Sequence, residues 1–203
     1  MTIIARIEQL EEIYGPPLEP STVKVLTALD ANYRAYVEAS PFMALATVGP
    51  EGLDCSPRGD DGPVVRVVDP KTLVMPDRRG NNRIDSLRNI VRDPRCAFLF
   101  LVPGSGTCLR VNGQAVVSVE PALLESFAVK GQPPRSCVVL TIDEVYFQCA
   151  RAIVRSGLWD PARFVDPATL PTPGAMLAAV SAGRVGGEAY DREWPARAVR
   201  TMW

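Results

Sequence analysis

The stretch MPDRRGNNRID, Met75 to Asp85, gathers Arg78, Arg79 and Arg83 around Gly80 and two asparagines. It lies between an apolar run ending at Met75 and the periodic segment Ile84, Leu87, Ile90, Val91. Guanidinium groups are planar forks that match the oxygens of a phosphate or carboxylate, and a glycine lets the backbone approach closely. With Gly80 or Asn81 as the N-cap of the following helix, the free amides of its first turn would face the same loop, together with the positive end of the helix dipole. That is the chemistry of an anion site, a terminal phosphate above all. The same residues also fit a solvated, well-capped helix start whose arginines pair with Asp77 and Asp85. Arg66 is a second charge in an unexpected place, flanked by valines in VVRVVD, where alternate residues of a strand should be buried. It fits the solvent face of an edge strand, or the wall of a groove beside the phosphate site.

Composition limits what such a site can do. The 203 residues include no histidine, so a nucleophilic triad with an imidazole base and the commonest zinc sites cannot be built from this chain. For an enzyme, that points to an organic cofactor, which brings its own electron chemistry and asks the protein for binding and orientation. The five cysteines, Cys55, Cys96, Cys108, Cys137 and Cys149, are odd in number and lack CxxC pairing. That argues against a disulfide framework or a structural zinc site and for apolar fillers. A formal net charge of -1 supplies no global field for nucleic acid or an anionic membrane. No apolar run approaches the roughly 18 residues of a membrane span, and the N-terminus carries acids where a secretory signal would be apolar, so a cytoplasmic protein is expected.

The elements that must position these residues follow from periodicity. Ile3, Ile7, Leu10 and Ile13 recur at helical spacing, and Ser21 is placed to cap a second helix through Val25, Leu29, Tyr33 and Val37. Phe42 to Val48 reads as a buried strand, Asp54 to Gly62 as a polar loop, and Val64 to Val68 with Thr72 to Met75 as two strands around Asp69-Pro70-Lys71. After the helix that follows Asn81 come strands at Cys96 to Val102, Thr107 to Val119 and Cys137 to Phe147, with a short helix at Pro121 to Val129. The tail from Trp159 is rich in Pro, Gly and Ala, with one helix at Ala175 to Ser181. Many strands with few intervening helices favour an antiparallel barrel or sandwich over a doubly wound sheet.

The segments RVVD, MPDRRGNNRIDSLRNIVRDPRCAFLFLVPG and TCLRVNGQAVVS, in that order, resemble the flavin-binding half of the pyridoxamine 5'-phosphate oxidase-like family. The likeness is to a bacterial subfamily with an SPRGD loop and a DRRGN turn, and it runs from about Phe42 to Trp159. It implies a mainly β (α+β) split β-barrel at residues 41–160, with an N-terminal helical extension at 1–40 and a C-terminal extension at 161–203 that packs on the barrel or the dimer. It further implies a homodimer with FMN in each of two clefts at the subunit interface. Arg66, Val67 and Val68 match the family segment along the flavin ring and ribityl chain, and Pro76 and Asp77 match a pair that also meets the cofactor. Asn82 and Arg83 match the basic phosphate position, which Arg79 joins. Thr107 and Cys108 match a place where the partner subunit reaches toward the ring, Trp159 borders the pocket, and Arg58 of SPRGD is a further contact.

No catalytic side chain is implied, since a flavin exchanges hydride at N5 without one. Authentic pyridoxamine phosphate oxidases are expected to hold their substrate with an arginine and a histidine near the C-terminus, and this chain has no histidine. Gln148 stands where a histidine often follows the YF pair of the subfamily. The expected function is therefore an FMN-dependent oxidoreductase acting on an unnamed small molecule, with oxygen or a nicotinamide as the second electron partner. The alternative is a non-catalytic FMN-binding or sensor protein of the same fold. A deazaflavin or haem suits the arginine turn less well than a single terminal phosphate does.

Overall fold

From Phe42 to Gly49 every second side chain is apolar or small enough to bury, and in the computed structural model, which describes residues 1–203, Met43, Leu45 and Thr47 of that strand all point inward. In chain order the elements are α1 (Ile7–Tyr14), α2 (Glu19–Thr22), α3 (Ala31–Ala39), β1 (Phe42–Gly49), β2 (Gly52–Gly59), β3 (Arg66–Asp69) and β4 (Thr72–Pro76). Then follow α4 (Asp85–Arg92), β5 (Arg95–Leu101), β6 (Cys108–Ser118), α5 (Pro121–Glu125), β7 (Cys137–Gln148), α6 (Arg151–Ser156), α7 (Pro173–Val180) and α8 (Gly187–Thr201). All pairings are antiparallel, in the order β2-β1-β5-β6-β7-β4-β3. Inward-facing Phe98, Phe100, Leu109, Val111, Leu140 and Leu73 join one core that the curved sheet wraps, with Tyr33 and Val37 of α3 and Ile90 of α4 packed into it. The fold is mainly β, α+β and split-barrel-like, and β2 and β3 are the edge strands of its sheet.

The longest pairing, β6 with β7, carries a bulge. Asn112 pairs with Glu144 and Gly113 with Ile142, so Asp143 is an extra residue. The insertion switches the inward parity of β7 from Val138, Leu140 and Ile142 to Val145, keeping both ends of a twelve-residue strand on the core. Gly113 permits it: a Cβ there would lie 2.1 Å from the carbonyl oxygen of Thr141.

Several expectations need correction. The second helix is not capped by Ser21, which lies within α2; α3 begins after Asp30, whose carboxylate accepts from the Tyr33 amide at 2.7 Å. The chain from Val25 to Leu29 is instead irregular, with Leu26 bridging to Val145 and bends at Thr27 and Ala28. Residues 54–59, read as a polar loop, belong to β2, which pairs with β1 along its whole length. An edge strand with one face on a polar cavity lacks the apolar alternation that marks a strand. The N-terminal helix forms, but α1 buries none of its residues, so Ile7, Leu10 and Ile13 face outward. In the tail the helix near Ala175 is present as α7, and it is followed by the longer α8, which Gly186, Gly187 and an internal Pro195 mask in the sequence. Asp191 of α8 ties it to α7, accepting from the Gly174 amide at 2.8 Å and from the Thr172 hydroxyl at 2.5 Å. Cys96, Cys108 and Cys137 are buried, Cys55 and Cys149 exposed, and none is paired. No helix is long and apolar enough to cross a membrane.

Candidate functional site

Period-two alternation along β2 turns Asp54, Ser56 and Arg58 to one side and Leu53 and Cys55 to the other. The first side forms a wall of a cavity of about 990 Å³, closed by the end of β4, the turn 77–84, the first turn of α4 and the segment 132–136. Five arginines line it, Arg58, Arg78, Arg79, Arg83 and Arg135, with Asp54, Asp60, Asp77 and Asp85 among them.

A polar network fixes the β2 wall. Ser86 of α4 is buried and donates to the Asp54 carboxylate at 2.5 Å, and its hydroxyl lies 2.9 Å from that of Ser56. Arg58 binds the network through both terminal nitrogens: Nη1 donates to the Ser56 hydroxyl (2.8 Å) and the Pro57 carbonyl (2.8 Å), and Nη2 to the Ser86 hydroxyl (2.9 Å). Its Nε is buried and has no partner. An orphaned buried donor on a charged group is costly, and the side chain that carries it lines the cavity. Arg78 is held by its edges, Nε to the Asp60 carboxylate (2.8 Å) and Nη1 to the Phe127 carbonyl (2.7 Å). Arg135 donates to the Asn82 side-chain oxygen at 3.1 Å, and Arg79 is exposed at the rim. Arg83 pairs with Asp85 and is 79% exposed.

Neither Gly80 nor Asn81 caps the helix, contrary to expectation: α4 begins at Asp85, after Ile84, which supplies no side-chain cap. The Asn81 side chain accepts from the Arg83 amide at 3.0 Å, closing a local turn instead. Asn82 and Ile84 then reverse the chain with φ of 59° and 54°. A left-handed conformation at a β-branched residue such as Ile84 is strained, and strain of this kind collects at ligand sites. The first turn of α4 thus still borders the cavity through Ile84, Asp85, Ser86 and Leu87, one turn later than the sequence suggests.

The cavity brings together Arg58, Pro76, Asp77, Arg79, Asn82 and Arg83 of the expected site residues. The others lie elsewhere. Arg66 stands on the rim of a second cavity with Val67, its guanidinium 3.7 Å from the Phe127 ring centre and donating to the hydroxyl (2.8 Å) and carbonyl (2.7 Å) of Ser126. Val68 is exposed, and Cys108 is buried. Thr107 lines a third cavity with Tyr33, Tyr36 and Phe147, and Trp159 donates to the Ser105 carbonyl at 2.8 Å, away from all three. Residues that sequence reasoning missed are Asp54, Ser56 and Ser86, the Arg78–Asp60 pair, Arg135, and Trp203. The two-residue spacing of Asp54, Ser56 and Arg58 was the available signal; for Trp203 there was none.

Burial raises the Asp77 carboxyl above its ordinary range, with Arg58 and Arg135 opposing. A raised acid favours folding while it holds its proton: the contribution is complete below the ordinary carboxylate range and is lost as pH rises through the carboxyl's own raised value. Asp77→Asn therefore raises the melting temperature of the ligand-free protein at neutral pH, and the gain disappears below about pH 4. Melting curves of the two proteins across that range check this, and a gain independent of pH contradicts it.

A family model described as pyridoxamine 5'-phosphate oxidase matches residues 29–149. Among solved structures, one from Lactobacillus delbrueckii, described as a candidate pyridoxamine 5'-phosphate oxidase, is 24% identical over 60% of this chain and 95% of its own, with a TM-score of 0.49. HupZ of Group A Streptococcus is 15% identical over 58% of this chain and 91% of its own (TM-score 0.47). An FMN-binding protein from Syntrophomonas wolfei is 15% identical over 57% and 80% (TM-score 0.42). No curated protein matches.

Proposed function

Because the chain belongs to the pyridoxamine 5'-phosphate oxidase family, we propose that it binds FMN in the arginine-lined cavity between β2 and α4 and acts there as a flavin-dependent oxidoreductase on a small molecule. The observation that carries this reading is the buried, unpartnered Nε of Arg58 in a cavity lined by four further arginines. The residues fit the group. A terminal phosphate satisfies Arg58, with Arg79, Arg83 and Arg135 within the same lining. The volume of about 990 Å³ is at the upper end of small-molecule sites, and Val64, Ile84, Leu87 and Trp203 supply apolar lining for a ring.

When bound, the flavin supplies hydride exchange at its N5, which explains how a chain without histidine carries out redox chemistry. The chain's own side chains do the rest. The Asp54–Ser56–Ser86 network orients Arg58, and the Asp60 carboxylate and Phe127 carbonyl fix Arg78. The Asp77 carboxyl, raised by burial, holds a proton more readily than an ordinary carboxyl does. The reading extends to a homodimer in the cytoplasm, with FMN at the subunit interface, as the sequence resemblance implies.

Titration of the ligand-free protein with FMN and with riboflavin tests the site. FMN quenches its own fluorescence on binding, and riboflavin, lacking the phosphate, binds about a hundredfold more weakly. Equal affinities, or no binding of either, would overturn the reading. Reduction of the bound FMN by NADH or NADPH, with reoxidation by an added acceptor, then supports the oxidoreductase, whereas a flavin that neither nicotinamide reduces favours the non-catalytic alternative.

A further inference from the structure

The arginine-lined cavity and the second cavity, of about 620 Å³ beside β3, share three lining residues: Asp60, Arg78 and Trp203. Arg78 stands at their junction with its edges committed to Asp60 and the Phe127 carbonyl. Its side chain is 18% exposed and that of Asp60 8%, so the pair is held away from water. A guanidinium fixed by its edges offers its flat faces, and those faces recognise aromatic rings. One of them is taken by the indole of Trp203, whose ring centre lies 5.2 Å from the guanidinium carbon.

The attachment of that indole is slight. Beyond Ser136, no residue other than Trp203 lines either cavity. Helix α8, which delivers it, buries none of its own residues, and Asp191 hydrogen-bonds it to Thr172 and Gly174 at the start of α7. Trp203 can therefore leave Arg78 without loss of buried core, and its departure uncovers a face of Arg78 at the junction of the two cavities.

We propose that the face of Arg78 now covered by Trp203 is the seat of the flavin ring system, and that the indole is an internal occupant which yields to it. This rests on the flavin reading above and adds a ring site to the phosphate site. Bound FMN then spans the junction, its phosphate among Arg58, Arg79 and Arg135 and its ring on Arg78. The α7–α8 hairpin becomes a closure that opens on ligand entry.

Fluorine NMR of protein carrying fluorotryptophan tests this, with the Trp203 resonance identified by its loss in Trp203→Phe. In the ligand-free protein Arg78→Lys, which keeps the charge and removes the flat face, moves that resonance toward its solvent-exposed position. FMN moves it the same way in the unaltered protein, and inorganic phosphate does not. Trp203→Ala, free of the occupant, takes up FMN several-fold faster than the unaltered protein in stopped-flow fluorescence. FMN that binds while the Trp203 resonance stays in place overturns this proposal alone, as does movement caused by phosphate by itself. FMN that binds to neither the unaltered protein nor Trp203→Ala brings down the flavin reading and this proposal together.

Discussion

Arg58→Ala weakens FMN binding by about a hundredfold, and Arg83→Ala by only a few-fold. The ranking follows from what each arginine already does. Arg83 is largely in water and paired with Asp85, so a phosphate gains little from it beyond what solvent and that carboxylate provide. Arg58 is pre-set by bonds to Ser56 and Ser86 and has a buried Nε with nothing to donate to. A charge-assisted hydrogen bond from this pre-set guanidinium to a phosphate contributes about 2–3 kcal/mol, which is roughly a hundredfold in Kd. Arg58→Lys keeps the charge but loses the fork and falls between the two. Fluorescence titration measures all three, with circular dichroism confirming that each variant is folded. Arg58→Ala with unaltered affinity would remove Arg58 from the phosphate site.

Gly113→Ala destabilises the ligand-free protein by about 3 kcal/mol, the upper end of what an inserted methyl costs in a packed interior. The added Cβ would stand 2.1 Å from the Thr141 carbonyl oxygen, 3.1 Å from the Thr141 carbonyl carbon and 3.4 Å from the Asp143 amide nitrogen. All three are backbone atoms of the neighbouring strand, so no side chain can swing aside, and relief requires the β6–β7 pairing to open at the bulge. For a chain of this length each kcal/mol shifts the melting temperature by about 2–4 °C, giving a fall of roughly 10 °C. Gly80→Ala is the control: a Cβ at Gly80 meets nothing within 4 Å, and its melting temperature stays unchanged. Equal melting curves for the two variants would show that the bulge tolerates a side chain.

Six of the seven strands are legible in the sequence because their inner faces carry Val, Leu, Ile and Phe at alternate positions. The exception, β2, has Asp54, Ser56 and Arg58 at the positions where a core strand would have apolar residues, and that exchange makes it a wall of the site. The anion chemistry of Arg78, Arg79 and Arg83 is legible for the same reason that its geometry is not. Three arginines near a helix start announce charge complementarity, but the two left-handed residues that delay α4 to Asp85 are Asn82 and Ile84, and no rule places Ile there. Arg66 shows what a register alone leaves open. Its strand is read correctly, and its guanidinium meets Ser126 and Phe127 about sixty residues on, a contact made by the path of the chain after α5 that no local pattern encodes. The Ser56–Ser86 bond and the reach of Trp203 are likewise long-range pairings that local pattern does not encode.

The outward half of the β2 alternation has a practical consequence. Burial pushes the Cys96 thiol up to about 12 and raises Cys108 and Cys137 as well, which leaves these three inert toward alkylating reagents at neutral pH. Cys55 and Cys149 alone remain open to a maleimide dye. A fluorophore on Cys55 hangs from the back of the very strand whose front carries Ser56 and Arg58, so the native chain already holds an attachment point for an optical reporter.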